Sequence, residues 1–463
     1  MKNTNRIVWA DLVRFIAIFM VICIHCSDPF NVSPEARSNP EYNLWGSIYG
    51  AFLRPCVPLF VMLTGMLLLP VEQEIGQFYK KRMLRVVIPF IVWSLLYNLF
   101  PWFTGVLGLD SSVLSGMFAY AGESPDQTFE GSLHNILMIP FNFNTYTVPL
   151  WYIYMLIGLY LYMPFFSAWL KQATEKQMRI FLSIWFVSLF LPYCQEYISE
   201  YIGGVCAWND FGVLYYFSGF TGYMLLGYYL KDGIRLPVKN TIVLSVVMLA
   251  VGYAITYYGF RNMTSQPGIS ERQLELFFLY CSPNVLLMTV AWYLLIQKVK
   301  VKSPVVISAL KNITKCGLGI YMIHYFIVGF GYLVVDKMGI PVFMRIPVTA
   351  LFVFALSWGI VALFYKVRPK AAKWIMGYIW ASPVSHPTTT EYRSKPCSAL
   401  PDLSSLCRSS LAAIRAVLRL AVASCTVLAG CHVAAVCDMP IYGCVRHEHI
   451  RRRIMAVAVM HIG

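Results

Sequence analysis

The chain has 463 residues, of which 58% are hydrophobic, 16% are aromatic and only 13% are charged. Soluble globular proteins contain about 25% charged residues, so this composition excludes an ordinary soluble domain and is typical of a polytopic membrane protein. The formal net charge of +15 could indicate a nucleic-acid partner. Because the basic residues fall mainly in loops between apolar stretches, we instead expect membrane lipids as their partners and no nucleic acid.

Ten apolar stretches approach or reach the roughly 20 residues that a helix needs to cross a bilayer. The first begins after a few polar residues and has no small-residue cleavage site behind it, so we interpret it as a retained helix rather than a signal peptide. We therefore predict an all-α fold, a polytopic membrane helix bundle of about ten transmembrane helices, at residues 8–26, 48–69, 84–103, 148–170, 180–195, 211–230, 241–259, 274–296, 316–335 and 344–366.

The loops between these stretches alternate in charge. One set is rich in Lys and Arg, as at Lys80 and Lys81 and again from Lys298 to Lys315. The other set is acidic, and its longest member, residues 104–147, contains Asp and Glu but no Lys or Arg. The positive-inside rule places the basic loops in the cytoplasm, so we expect an even number of spans with both chain ends cytoplasmic.

The first stretch, VWADLVRFIAIFMVICIHCSD at residues 8–28, carries ionisable residues where a bilayer penalises charge. Asp11 lies three positions before Arg14, a spacing at which helical side chains can pair and reduce the cost of burial. Arg14 and His25 are separated by about 1100° of helical rotation, so they share one face about 16 Å apart along the axis. Two interpretations stay open: a neutralised pair with a water-facing histidine, or a functional line of polar groups across the bilayer.

Two further groups of polar residues have a simple and a functional interpretation. His324 lies about eight residues inside the stretch CGLGIYMIHYFIVGFGYL, where it is either a hydrogen-bonded packing residue or part of a site. Arg82 and Arg85 are three apart in FYKKRMLRVVIPF, next to a predicted span. They are either orientation charges that obey the positive-inside rule or a pair that binds a phosphate-bearing ligand through fork-shaped hydrogen bonds.

From about residue 8 to residue 366 the chain resembles the bacterial acyltransferase 3 family of integral-membrane O-acyltransferases. The order and spacing of the motifs carry this resemblance. They are Arg14 followed after ten residues by His25, VPLFVMLTGMLLL at 57–69, the Arg82 to Arg85 motif followed by IPFIVWSLLY, LWYIYMLIGLYLYMP at 150–164, GYMLLGYYL at 222–230 and GIYMIHYFIV at 319–328.

The resemblance implies a multi-pass enzyme of the bacterial inner membrane. Such an enzyme moves an acyl group, usually acetyl from cytoplasmic acetyl-CoA, to a hydroxyl of a surface polysaccharide or lipid-linked glycan. Acetyl-CoA or another acyl-CoA is thus the expected donor substrate, with no permanently bound cofactor and no metal. We expect an O-acetyltransferase.

The resemblance also assigns roles to the residues. His25 is the implied catalytic histidine, with Arg14 as its motif partner and Asp11 beside Arg14 on the donor path. His324 matches a motif position and joins the catalytic candidates, while Arg82 and Arg85 are the implied donor-binding pair. A neutral imidazole at His25 can take the proton of an attacking hydroxyl or can itself carry the acyl group, and both routes stay open.

The sequence departs from the family pattern at two positions. Many relatives have a histidine immediately before the Leu-Trp of the fourth span, where this chain has Pro149. The small residue before Gly65 is Thr64, where serine is common. The missing histidine weakens any mechanism copied in detail from relatives.

The alternative function is a membrane exporter or transporter of a glycan or acylated metabolite. Ten spans with buried ionisable groups also suit a secondary carrier. Inverted repeats with matching Gly or Pro breaks would favour the carrier, and the sequence shows no clear internal repeat. We therefore expect the enzyme, contained in a transmembrane acyltransferase domain at residues 1–379.

Residues 380–463 differ from the rest of the chain. All 30 phenylalanines precede this region, whereas six cysteines crowd residues 397–444. We interpret it as an atypical Cys-, Ala- and Arg-rich tail that is disordered or has no function. The cysteines and histidines of this tail do not have the paired spacing of common zinc sites. These residues are Cys425, Cys431, His432, Cys437, Cys444, His447 and His449.

Overall fold

The computed structural model describes residues 7–110, 127–198, 212–234 and 236–377. Within these ranges the chain forms helices and no strand, which confirms the predicted all-α fold. The α-helices are α1 (Val8–Asn31), α2 (Pro34–Ser38), α3 (Pro40–Leu53), α4 (Cys56–Leu68), α5 (Ile75–Val106), α6 (Phe129–Met138), α7 (Trp151–Leu170), α8 (Glu175–Ser188), α9 (Leu191–Tyr197), α10 (Thr221–Tyr229), α11 (Val238–Thr264), α12 (Glu271–Leu274), α13 (Pro283–Lys298), α14 (Pro304–Asp336), α15 (Val342–Val367) and α16 (Pro369–Ile375).

Short 3-10 helices extend this set at Thr145–Leu150, Gly212–Phe217 and Leu276–Phe278. When helices that continue into one another are counted as one, the described residues contain nine helices that are long and apolar enough to cross a membrane. These match nine of the ten predicted spans, so the chain is a multi-pass membrane protein. They are Val8–Asn31, Pro40–Leu68, Ile75–Val106, Thr145–Leu170, Glu175–Tyr197, Val238–Thr264, Leu276–Lys298, Pro304–Asp336 and Val342–Val367.

Most of these helices are longer than the predicted spans because hydropathy detects only their apolar part. The helix α14 begins at Pro304, well before the predicted start at residue 316. Proline fits the first helical turn, and the hydroxyl of Ser303 accepts a hydrogen bond from the Val306 amide. The helix α1 likewise continues past the predicted end of its span at residue 26. It ends at Asn31 and so includes a polar turn.

The sixth predicted span, at 211–230, is not one continuous helix. Its described part is the 3-10 helix Gly212–Phe217 followed by α10, and the break contains Gly219, whose φ of +82° favours glycine. The carbonyl of Gly219 accepts a hydrogen bond of 2.8 Å from Nε1 of Trp185. A broken helix is tolerated at membrane depth where neighbouring protein groups satisfy the freed backbone in this way.

This broken segment nevertheless runs along α8 in the opposite direction. The hydroxyl of Ser188 donates to the Phe217 carbonyl, and the hydroxyl of Tyr229 donates to Glu175. The two contacts are separated by about 20 Å of helix α8 at 1.5 Å per residue. The segment therefore covers most of the thickness of a bilayer core.

The helices α1 and α14 run parallel. Thr314, in the first third of α14, donates to Asp11 near the start of α1, and the hydroxyl of Tyr332 donates to the carbonyl of Cys26 near the ends of both helices. Six of the long helices lie between them in the chain, and six alternating crossings would make the pair antiparallel. A seventh crossing by the broken segment restores the parallel direction, which supports the prediction of ten spans. The cytoplasmic position of both chain ends stays a prediction.

The boundary predicted at residues 379 and 380, and the tail that follows it, lie outside the described residues. The suggestion that the tail is disordered or without function therefore stays a prediction.

The helices α4 and α10 approach each other at two glycines. A β-carbon added to Gly65 would overlap the carbonyl oxygen of Met224, and one added to Gly227 would overlap the carbonyl oxygen of Met62. Small residues allow such close backbone contact between membrane helices. The reciprocal contact fixes the broken segment against the second long helix.

We expect Gly65→Ala to destabilise the protein by about 1 to 3 kcal/mol, because the added methyl group has no space at this contact. Gly158→Ala is the matched control, since nothing lies within 4 Å of the β-carbon that it would add. Thermal unfolding in detergent micelles measures the difference. Equal stability of the two variants would show that α4 and α10 are not packed as described.

Candidate functional site

Two buried histidines from distant parts of the chain meet inside the bundle. The ring centroids of His25 and His324 are 5.3 Å apart, with an angle of 38° between the ring planes. His25 is 8% exposed and His324 is fully buried. The parallel packing of α1 and α14 brings them together. The sequence predicted each histidine as a candidate but did not predict that they touch.

Asp28 holds the His25 ring. Nδ1 of His25 lies 3.0 Å from Oδ2 of Asp28, and the Asp28 side chain is buried. A carboxylate only accepts hydrogen bonds, so Nδ1 carries a hydrogen and Nε2 of the neutral ring keeps its lone pair. A histidine whose Nδ1 is held by a carboxylate is oriented for use of Nε2 as a proton acceptor.

His324 has the same tautomer for a different reason. Its Nδ1 lies 2.6 Å from the carbonyl oxygen of Tyr321, one turn earlier in α14, so this nitrogen donates. Its Nε2 is buried and has no hydrogen-bond partner among the described residues. A buried polar atom without a partner costs about 1 to 3 kcal/mol, which a ligand donor could recover.

A small cavity borders His25. Aromatic rings form much of its wall, and the space open to a water-sized sphere inside it is about 10 Å³, which is close to the room that one water molecule needs. An acyl group and its thioester would therefore enter only if side chains of the wall moved apart. The polar and aromatic residues of the wall are His25, Cys56, Trp151, Tyr152, Tyr280 and Tyr321.

The pair predicted from the spacing of Asp11 and Arg14 is present. Nη1 of Arg14 donates to Oδ1 of Asp11 at 2.8 Å, and the same oxygen accepts from Thr314 at 3.0 Å. Asp11 is 2% exposed. The carboxylate therefore partly compensates the charge of Arg14 and also joins α1 to the helix that carries His324. Asp11 and Arg14 lie about 16 to 21 Å along α1 from His25, so they are not in contact with the histidine pair.

Three arginines gather at this second location. Arg82 and Arg85 extend from α5, and both lie with Arg14 within electrostatic range of the Tyr160 hydroxyl. Arg82 and Arg85 are partly buried, and Nη1 of Arg85 is a buried atom without a hydrogen-bond partner in the described part of the chain. The sequence predicted the pair on α5 but not that Arg14 belongs to the same cluster.

The position of the family histidine, Pro149, contributes a backbone group instead of a side chain. Its carbonyl accepts a hydrogen bond from the hydroxyl of Tyr321, a residue of the cavity wall. This contact fixes the turn before α7 against α14. The departure from the family pattern therefore removes an imidazole from this position and leaves a backbone contact to the cavity wall.

Two charged residues of the site region were missed in the sequence. Asp28 lies two residues beyond the predicted end of the first span, although its spacing of three from His25 was a usable signal. Arg54 lies within the second predicted span, where an intramembrane arginine is itself a signal of function.

Comparison with known proteins identifies the family. A family model described as an acyltransferase domain matches residues 7–365, a range that contains every residue of the site. Searches of curated proteins and of solved structures gave no match. The family match covers more than three quarters of the chain and agrees with its helical membrane fold. The chain therefore belongs to the acyltransferase 3 family and is a membrane acyltransferase.

Proposed function

We propose that this protein is an O-acetyltransferase that moves acetyl from acetyl-CoA to a hydroxyl of a surface glycan or a lipid-linked sugar. The observation that carries the proposal is the buried pair of His25 and Asp28 at a cavity in a chain of this family. The aromatic wall supports a sugar acceptor, since flat rings such as Trp151 and Tyr280 can pack against the apolar faces of a sugar.

In the proposed reaction His25 is the general base. Nε2 takes the proton of the acceptor hydroxyl while the hydroxyl oxygen attacks the thioester carbon, and Asp28 stabilises the imidazolium that forms. The carbon–sulfur bond then breaks, and the imidazolium returns the proton to the thiolate of coenzyme A. The alternative, an acyl group carried on Nε2, uses the same orientation of the ring.

His324 is proposed as a second acceptor of hydrogen bonds. Its unpartnered Nε2 lies on the side of the ring away from its own helix backbone, near the His25 ring. A hydroxyl or water bound between the two rings would satisfy it. This role positions the acceptor and does not require His324 to become charged.

The arginine cluster is the proposed donor site. Coenzyme A carries several phosphates, and Arg82 and Arg85 offer guanidinium groups that match them. Arg14 adds a third positive charge, although Asp11 partly compensates it. The pantetheine arm would cover about 16 Å along α1 to bring the thioester to His25. We place the cluster on the cytoplasmic side of a bacterial inner membrane, as the basic loops indicate.

A transporter remains the alternative class of function. No observation in the described residues favours it over the enzyme. The family match and the buried histidine–carboxylate pair both favour chemistry over transport.

We expect Asp28→Asn to lower the rate of acetyl transfer about 10- to 100-fold, because an amide neither fixes the His25 tautomer nor stabilises the imidazolium. His25→Ala should lower the rate further, about 100- to 10,000-fold, because it removes the general base. Radiolabelled acetyl-CoA and a cell-envelope glycan extract provide the assay, and Glu35→Gln, an exposed carboxylate just beyond α1, is the control. A His25→Ala variant that transfers label at the wild-type rate would contradict the proposal. Label retained on denatured wild-type protein would indicate the acyl-histidine route.

We expect Arg82→Gln and Arg85→Gln each to raise the KM for acetyl-CoA about tenfold, because each removes a charge-assisted contact to phosphate. Lys80→Gln is the control, since Lys80 is an exposed base on the same helix. Acetyl-CoA that lacks its 3′-phosphate shows which phosphate is bound. If all three substitutions change the KM for acetyl-CoA equally, Arg82 and Arg85 would act only as charges that orient the protein in the membrane.

A further inference from the structure

Arg54 is a partly buried cation in the second long helix, and neither the donor site nor the histidine pair explains it. It lies at the break between α3 and α4, and its Nε donates to the carbonyl of Gly50 at 3.3 Å. The central guanidinium carbon lies 3.9 Å from the ring centroid of Phe278 and 5.9 Å from that of Tyr280. Cation–π contact of this kind fixes the plane of the guanidinium but supplies no counter-charge.

The charge of Arg54 has no carboxylate partner in the described part of the chain. No Asp or Glu oxygen lies within 4.0 Å of it there, and its terminal Nη atoms donate to no acceptor in those residues. Arg14, by contrast, is paired with Asp11 at 2.8 Å. A charge at membrane depth is costly, so an unpaired guanidinium is retained where a function requires it.

The location of Arg54 connects it to the cavity. It is two residues before Cys56, and both Cys56 and Tyr280 belong to the cavity wall together with His25. The Tyr280 hydroxyl lies within electrostatic range of both Arg54 and Asp28. Arg54 is therefore next to the catalytic cavity, whereas Arg14 of the donor cluster is about 16 Å along α1 from His25.

We propose that Arg54 binds an oxyanion on the acceptor, a carboxylate of an acidic sugar or a phosphate of a lipid-linked sugar. This inference rests on the proposed acyltransferase function and adds the substrate class: the enzyme selects anionic acceptors. A guanidinium presents two parallel N–H donors that match two oxygens of a carboxylate or phosphate. The ring of Trp151 stacks on Tyr280 at 5.4 Å and offers a flat surface for the sugar that carries the anion.

The separation of the positive charges supports an acceptor rather than the donor as the ligand. Three arginines already stand at the far end of α1, where the phosphates of coenzyme A are proposed to bind. The thioester oxygen, which gains negative charge during transfer, is the rival ligand. It would be stabilised equally for every acceptor, so neutral and anionic acceptors distinguish the two roles.

The experiment measures binding to the purified full-length protein in micelles by isothermal titration. The probes are methyl glucuronoside, glucose 1-phosphate and the neutral methyl glucoside. We expect the wild type to bind at least one anionic probe about tenfold more tightly than the neutral probe. Arg54→Gln should remove this preference and Arg54→Lys should keep part of it, while affinity for acetyl-CoA stays unchanged. The anionic probe that binds more tightly identifies carboxylate or phosphate as the natural group.

Arg272→Gln is the matched control, because Arg272 is an exposed arginine bonded to Gln195 and away from the cavity wall. Thermal unfolding of each variant separates lost binding from lost folding. A wild type without preference for either anionic probe would overturn the proposal, as would an Arg54→Gln variant that weakens all three probes equally. If the wild type still transfers acetyl in a reaction that needs His25, either of these results would remove only the proposed role of Arg54. The acyltransferase function would stay intact.

Discussion

The parallel packing of α1 against α14 is the contact on which the site depends. At one end the buried carboxylate of Asp11 accepts hydrogen bonds from both Arg14 and Thr314, and at the other His25 meets His324. Burial of a charge in hydrocarbon is costly, so the Asp11 carboxylate strongly favours the register in which both donors reach it. That register places two imidazole rings at the same depth, although they are 299 positions apart in the chain.

The site divides into three parts with different charges. The arginine cluster around Tyr160 is positive and suits phosphates, whereas the histidine pair has one carboxylate, Asp28, beside it. His25 and Asp28 are both buried, which strengthens the electrostatic contact between them. In the proposed reaction, donor and acceptor approach from these two different sides and meet at His25. Arg54 adds a positive charge on the cavity side that the donor does not need.

Periodicity and hydropathy predicted the parts of the structure that depend on local sequence. They predicted nine of the spans, and the spacing of Asp11 and Arg14 predicted their ion pair. They did not predict the contact of His25 with His324, because spacing within one helix carries no information about the register between helices. The break at Gly219 was also missed, since an apolar composition does not reveal where a backbone stops being helical. Asp28 fell outside the predicted span because its polarity ended the apolar stretch, although the helix continues to Asn31.

The central claim is that Asp28 holds His25 as the general base of acetyl transfer, so that the two residues act as one unit. A double-mutant cycle on the rate of acetyl transfer, with His25→Gln, Asp28→Asn and both together, tests it most directly. Residues that act as a unit are strongly non-additive, so we predict that the double variant loses little more activity than His25→Gln alone. Losses that multiply, so that the double variant falls by the product of the two single effects, would contradict the account.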